Sequence, residues 1–427
     1  MSAELAERIP ANAQDLLNHM SGYLGCNHEI HCILGFEENI DFALLNKAVA
    51  LLFTAEPILS CRLIENQDTC YWVRRADLKQ LESCSLLETQ DVESEMRKFI
   101  NVPVDSYQDP LLQVKLLRSG QGDRLCIKIN HACCDAGGLK ECVALLASLY
   151  NKLLEEPGYI PVPNRSGQRG YNQIFEQIDV VEAKKAWEAY RPERDSWSFP
   201  MESAQNMESE YAVKKIGRAH WRQIYEYARS RGVTVNDILL TACYRAMFTL
   251  VRPEPDKPMS FLVTVDLRRY VPGHKAGAIC NLSGLVIPAI SRILGESFED
   301  TLGKVAEAMN TLKASIPGLH TAIVSEIYSR IGAAAVLDWL RSEDAELCSP
   351  IFSNIGVISN EPLNFGKVKA KEGYMIGPAM AAPASLLAIS TYNEEMTLSM
   401  AFYEPAISKS LVECFFEQVV REIPVEG

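Results

Sequence analysis

The stretch RLCIKINHACCDAGGL, residues 124–139, changes its periodicity half-way. Leu125, Ile127 and Ile129 recur at every second position, the spacing that puts side chains on one face of a strand. From Leu139 the apolar residues Cys142, Val143, Leu146, Leu149, Tyr150 and Leu153 recur at three and four, which predicts a helix with one buried stripe. Between the two lies Asn130-His131-Ala132-Cys133-Cys134-Asp135-Ala136-Gly137-Gly138. A strand end that runs through a short loop into a helix is where reactive groups are exposed. His131 shares the parity of the apolar row, so continued pairing would hold its imidazole partly desolvated, and Asn130 would project the other way. A neutral histidine, with an ordinary pKa near 6.5, can accept a proton from a hydroxyl or amine, help worth about 10²- to 10⁴-fold. Asp135 could orient that ring. It also stands where an N-cap belongs, and capping accounts for it without catalysis.

Working outward, 111–117 (LLQVKLL) and 124–130 read as strands joined by the turn residues Ser119, Gly120, Gln121 and Gly122, a hairpin. Residues 28–36 predict another strand and 41–54 a helix capped by Asp41. Pro and Gly gather in 156–170 (EPGYIPVPNRSGQRG) with no apolar period. We therefore expect a first lobe over 1–157, a linker over 158–172 and a second lobe over 173–427. The second lobe reads as helices at 218–231 and 235–251, strands at 259–266 and 282–289, helices between 298 and 341, and strands near 351–358, 384–391 and 396–403. The fold class is mixed α/β.

Composition narrows the function. The 427 residues suffice for two domains or fused lobes, and 48% hydrophobic with 23% charged residues is ordinary for a globular chain. A net charge of −13 speaks against a nucleic-acid or anionic-membrane partner. The opening MSAELAERIP carries two glutamates where a secretory signal has a basic region, and no apolar run reaches the ~18 residues of a membrane span. A cytoplasmic location is expected. Residues 375–389 (MIGPAMAAPASLLAI) read as core or pocket wall. The thirteen cysteines show no CxxC spacing, so buried thiols are expected rather than disulfides or a metal cage. His28 and His31 with Cys26 and Cys32 alternate faces of one strand and do not make a shared metal site.

His131-x-x-x-Asp135, placed between strand and helix and preceded by DPLLQVKLL (109–117), resembles the HHxxxDG motif of the CoA-dependent acyltransferase superfamily, which includes condensation domains, chloramphenicol acetyltransferases and alcohol-acetyltransferase-like proteins. EPILSCRL (56–63), TVDLRR (264–269) and FSNIGVISN (352–360) echo three further motifs in order. The resemblance implies two chloramphenicol-acetyltransferase-like lobes in a V-shaped pseudo-dimer with a tunnel between them. It also implies an acyltransferase moving an acyl group from a CoA or carrier-protein pantetheinyl thioester to a hydroxyl or amine. His131 would be the general base, and Asp135 and Arg268 a structural pair supported by Gly137. Asn130, Ser353, Asn354 and Gly356 would shape substrate binding, with Ser353, Asn354 or a nearby N–H able to steady the thioester oxygen. No metal or permanently bound cofactor is implied, and a monomer is expected, with a carrier protein as a possible partner. Asn130 replaces the motif's first His, Ala136 its Gly, and Ser60 an Arg, and the DFGWG motif of plant members is absent. A positive φ at the motif Gly would strain Ala136. Those departures motivate an alternative, a catalytically inactive condensation-like binding or scaffold protein. A hydrolase using Cys133 or Cys134 is a third reading. For CoA phosphates, Lys367, Lys369 and Lys371 form one basic run and Lys214, Lys215 and Arg218 another.

Overall fold

The computed structural model describes residues 8–25, 27–66, 69–165, 167–189, 197–202, 207–342 and 349–424. Cys26 lies outside them. Two mixed sheets organise the chain. The first has five strands in the order Glu372–Ile376, Glu29–Gly35, Gly122–Asn130, Leu112–Ser119 and Cys84–Glu88. Its hairpin closes at Ser119 opposite Gly122, leaving Gly120 and Gln121 as the turn. The second has six, in the order Ser283–Val286, Leu262–Asp266, Ile351–Val357, Leu386–Tyr392, Glu395–Glu404 and Glu208–Ile216. Ile351–Val357 runs parallel to both its neighbours. A small third sheet, Arg8–Pro10, Cys70–Arg74 and Cys61–Glu65, shares a hydrophobic core with the first.

Helices Phe42–Ala55 and Ala136–Glu155 pack together over one face of the first sheet. The Asp41 carboxylate accepts the Leu44 N–H and that of Asp135 the Gly138 N–H, so each helix starts at a side-chain cap. Leu139, Cys142, Val143, Leu146, Leu149, Tyr150 and Leu153 are all buried, the stripe that the spacing predicts. Helices Arg218–Arg231, Val235–Val251, Phe298–Lys313 and Lys409–Glu422 contribute to the core over the second sheet. The region 298–341 holds three helices, Phe298–Lys313, Leu319–Ile331 and Ala333–Arg341.

The two halves are interleaved. Glu372–Ile376, far along the chain, completes the first sheet by pairing antiparallel with Glu29–Gly35. Helix Ala13–Ser21 packs on Leu319–Ile331 and Ala333–Arg341. Arg169, within the Pro/Gly-rich segment, is buried and donates to Asp15, the Cys133 carbonyl and the Ile279 carbonyl. That segment therefore ties three parts of the molecule together.

Candidate active site

The strand Gly122–Asn130 ends one residue before His131. The His131 N–H donates to the His28 carbonyl at 2.6 Å and the Cys133 N–H to the Asn130 carbonyl at 3.0 Å, so the chain turns there. Asn130 Oδ1 accepts the Ala132 N–H at 3.0 Å, which spends that side chain on the turn. Cys133 and Cys134 are fully buried, and burial pushes the Cys134 thiol pKa well up, away from thiolate chemistry. Ten of the eleven described cysteines are buried, and Cys414 is exposed.

Asp135 accepts from three directions: the Gly138 N–H at 2.8 Å, the Leu282 N–H at 2.7 Å and Arg268 Nη1 at 2.9 Å. Burial alone would raise its pKa, but the guanidinium and the two N–H donors outweigh that and hold it below the usual aspartate value. Arg268, on the turn Leu267–Tyr270, also donates to Glu141 Oε1 at 3.2 Å and to the Cys280 carbonyl at 2.9 Å. A Cβ at Gly137 would collide with this guanidinium, so glycine there permits the approach. Ala136 is the first residue of the helix and has no positive φ, so the strain anticipated for it does not arise.

His131, Asp135 and Lys140 share a cavity of about 120 Å³ with Thr264, Ser353 and Asn354 of the second sheet. Met375, Ile376, Gly377 and Pro378 form another part of its wall, and Leu386 and Ala388 also line it. Burial lowers the His131 pKa, so the ring is neutral at physiological pH. Thr264 Oγ1 donates to Ser353 Oγ at 3.1 Å, which leaves the Ser353 hydroxyl hydrogen free to be given elsewhere. Asn354 is engaged: its Nδ2 donates to Asn236 at 3.2 Å and its Oδ1 accepts the Gly356 N–H at 3.1 Å. That second bond braces a bulge between Asn354 and Gly356, where Gly356 has φ 72°. Asn130 and Gly356 lie outside the cavity wall. Lys140 stands on the helix that follows the His131 loop. Its Nζ donates to the Ile355 carbonyl at 3.0 Å, joining the two halves beside the cavity. A lysine on a capped amphipathic helix looks like a solvated charge, so no sequence signal marks it.

The basic runs stand apart from the cavity. Lys214 pairs with Glu417, Lys215 with Glu372 and Lys371 with Glu37, and none of the six basic residues is in its wall. Ser60 is buried and donates to the Pro57 carbonyl at 2.7 Å. A larger hollow of about 720 Å³, between the small sheet, residues 164–172 and helix Leu319–Ile331, does not reach His131. Among the described residues no His, Cys, Asp and Glu side chains gather to hold a metal ion, and no helix is long and apolar enough to cross a membrane.

The condensation-domain sequence model matches residues 22–254, more than half of the chain. The chain belongs to the condensation-domain family. Solved structures similar to this condensation-family chain agree in fold over nearly its whole length. The TRI3 trichothecene 15-O-acetyltransferase of Fusarium sporotrichioides has a TM-score of 0.75 at 10% identity, covering 97% of this chain and 94% of that one. The first condensation domain of the CDA synthetase has a TM-score of 0.72 at 14% identity, covering 98% and 95%. Polyketide synthase associated protein 5 of Mycobacterium tuberculosis has a TM-score of 0.66 at 14% identity, covering 97% and 98%. No curated protein sequence matches the chain. The architecture is thus the mixed α/β fold of condensation domains and chloramphenicol-acetyltransferase-like enzymes, and the family supports transferase chemistry in general.

Proposed function

We propose that this condensation-family chain is an acyltransferase with His131 as general base, its donor a CoA or carrier-protein pantetheinyl thioester and its acceptor a hydroxyl or amine. The observation that carries the reading is a neutral His131 in the wall of a cavity built from both halves. The acceptor's proton moves to the imidazole as its oxygen or nitrogen bonds to the thioester carbonyl. The tetrahedral adduct then expels the thiolate with cleavage of the C–S bond, and the imidazolium returns the proton to sulfur. The Ser353 hydroxyl, which lines the cavity, is free to donate to the carbonyl oxygen as charge develops on it. Asp135 and Arg268 hold the loop and take no part in proton transfer. With labelled acyl-CoA and acyl-pantetheine as donors and a panel of hydroxyl and amine acceptors, His131→Ala is expected to lose about 10²- to 10⁴-fold in turnover. Undiminished turnover by that variant ends the proposal.

A second reading, an inactive binding or scaffold protein, is favoured by the size of the cavity: about 120 Å³ holds only a small fragment of a thioester substrate. Isothermal titration showing CoA or acyl-pantetheine binding, with no turnover by the unaltered protein across the acceptor panel, decides for it.

A further inference from the structure

In the proposed reaction the thioester carbonyl lies between the His131 ring, which takes a proton from the atom attacking it, and the Ser353 hydroxyl, and both groups line one cavity. Strand register says what stands next to Ser353. Ile351–Val357 and Leu386–Tyr392 run parallel, with Ser353 beside Ala388 and Ile351 beside Leu386. Leu386 and Ala388 are two residues apart, share one face of their strand, and both border the cavity. Paired strands lie about 4.8 Å apart, so the chain attached to a carbonyl held at Ser353 meets the Ala388 methyl first and the Leu386 side chain next. Ile30, Ile355 and Met375 add only hydrocarbon and a thioether to the wall. Its charged members have partners within the protein: Asp135 and Asp266 bond Arg268, and Lys140 bonds the Ile355 carbonyl.

Volume sets the length. An apolar cavity of about 150 Å³ holds a benzene ring, so the slightly smaller space here, about 120 Å³, takes a straight chain of about four carbons. The wall is braced at Leu386. A Cβ on Gly377 would lie 2.6 Å from Leu386 Cδ2, so this side chain already rests on the main chain and has no room to swing that way for a longer guest. We infer that the cavity is an acyl pocket for short, unbranched, apolar acyl groups of about two to four carbons, with Leu386 and Ala388 as the residues that limit their length.

The inference rests on the acyltransferase reading for the direction in which the chain enters, but its first test is binding. Acetyl-, butyryl-, hexanoyl- and octanoyl-pantetheine are titrated calorimetrically into the unaltered protein, Leu386→Ala and Ala388→Val, and the same four thioesters serve as donors to the acceptor panel. Affinity is expected to hold or rise from acetyl to butyryl and to fall about 10-fold or more at hexanoyl. Leu386→Ala is expected to improve hexanoyl relative to butyryl about 10-fold, and Ala388→Val to weaken butyryl relative to acetyl by a similar factor. Octanoyl binding as tightly as butyryl in the unaltered protein, no binding of any of the four, or an unchanged length profile in both variants overturns the inference. If Leu386→Ala does not fold, Ala388→Val and the profile of the unaltered protein decide. Length-selective binding without turnover removes the acyltransferase reading and keeps the pocket, whereas turnover with a flat length profile removes the pocket and keeps the reading.

Discussion

At the scale of single residues, the firmest energetic statement concerns Asp135. Both it and Arg268 are about 95% buried, at 5% and 4% exposure, and the carboxylate is also the acceptor for two main-chain N–H groups. Breaking such a pair from one side leaves the other charge uncompensated, so Asp135→Ala is expected to cost about 3–5 kcal/mol in urea denaturation. Its native pKa is depressed, so its contribution is complete above the ordinary aspartate pKa of about 3.9 and is lost as pH falls through the native value. The two small residues that follow differ in kind. Gly137→Ala drives a methyl into the Arg268 guanidinium and is expected to cost about 1–3 kcal/mol, whereas Ala136→Gly, at a helical first position, should cost no more than about 1 kcal/mol. Thermal and urea unfolding of the two variants side by side check this. The sequence showed where His131, Asp135 and Gly137 stand because strand and helix periodicities bracket them. Lys140 left no trace in it, since an ammonium on an amphipathic helix reads as solvated until the packing partner is known.

At the scale of elements, strands in the middle of sheets were legible and edge strands were largely not. Glu29–Gly35, Gly122–Asn130, Ile351–Val357 and Leu386–Tyr392 are flanked on both sides and carry dense apolar runs. Cys84–Glu88, Glu208–Ile216 and Glu372–Ile376 are edges of short or mixed composition, and Cys61–Glu65 and Cys70–Arg74 belong to the small sheet. Within Glu29–Gly35, His31 faces Lys128 across the register, and both its ring nitrogens are buried. Lys128 caps the end of helix Val92–Asn101 through the Phe99 and Val102 carbonyls at 2.8 and 2.7 Å. Burial, aided by that ammonium, lowers the His31 pKa to about 3. The unfolded chain takes up this proton below about 6.5 while the native one does not, so His31 makes stability fall with acidification from there towards about 3. Glu29 on the same strand acts oppositely, since burial raises its pKa to about 7 and native uptake supports the fold as pH drops from there towards 4.5. His31→Leu is therefore expected to unfold less readily than the parent at pH 4, with little difference at pH 7, as read from urea midpoints.

At the scale of the whole molecule, the division suggested by residues 156–170 is crossed in both directions. Helix Ala13–Ser21 leans on Leu319–Ile331 and Ala333–Arg341, Arg169 bonds residues near 15, 133 and 279, and Glu372–Ile376 lies in the first sheet. Residues 1–157 produced alone would leave Glu29–Gly35 as an open edge, a ready template for pairing with other chains. That fragment is expected to aggregate, and co-expression with 158–427 to restore a soluble complex. Size-exclusion chromatography of the two preparations checks it, and a monomeric, folded 1–157 contradicts it. Composition could not show this, because the Pro and Gly content of 156–170 reports local backbone freedom and not what the chain on either side touches.

The late strand also sets a timetable for biosynthesis. Gly35 pairs with Glu372 and His31 with Ile376, so the partner of an early strand is made more than three hundred residues after it. At ~5–20 residues per second a ribosome needs roughly 20 to 70 seconds to cover that interval. Throughout it the nascent N-terminal half carries an unfinished sheet, which gives general chaperones such as holdases a defined window in which to act.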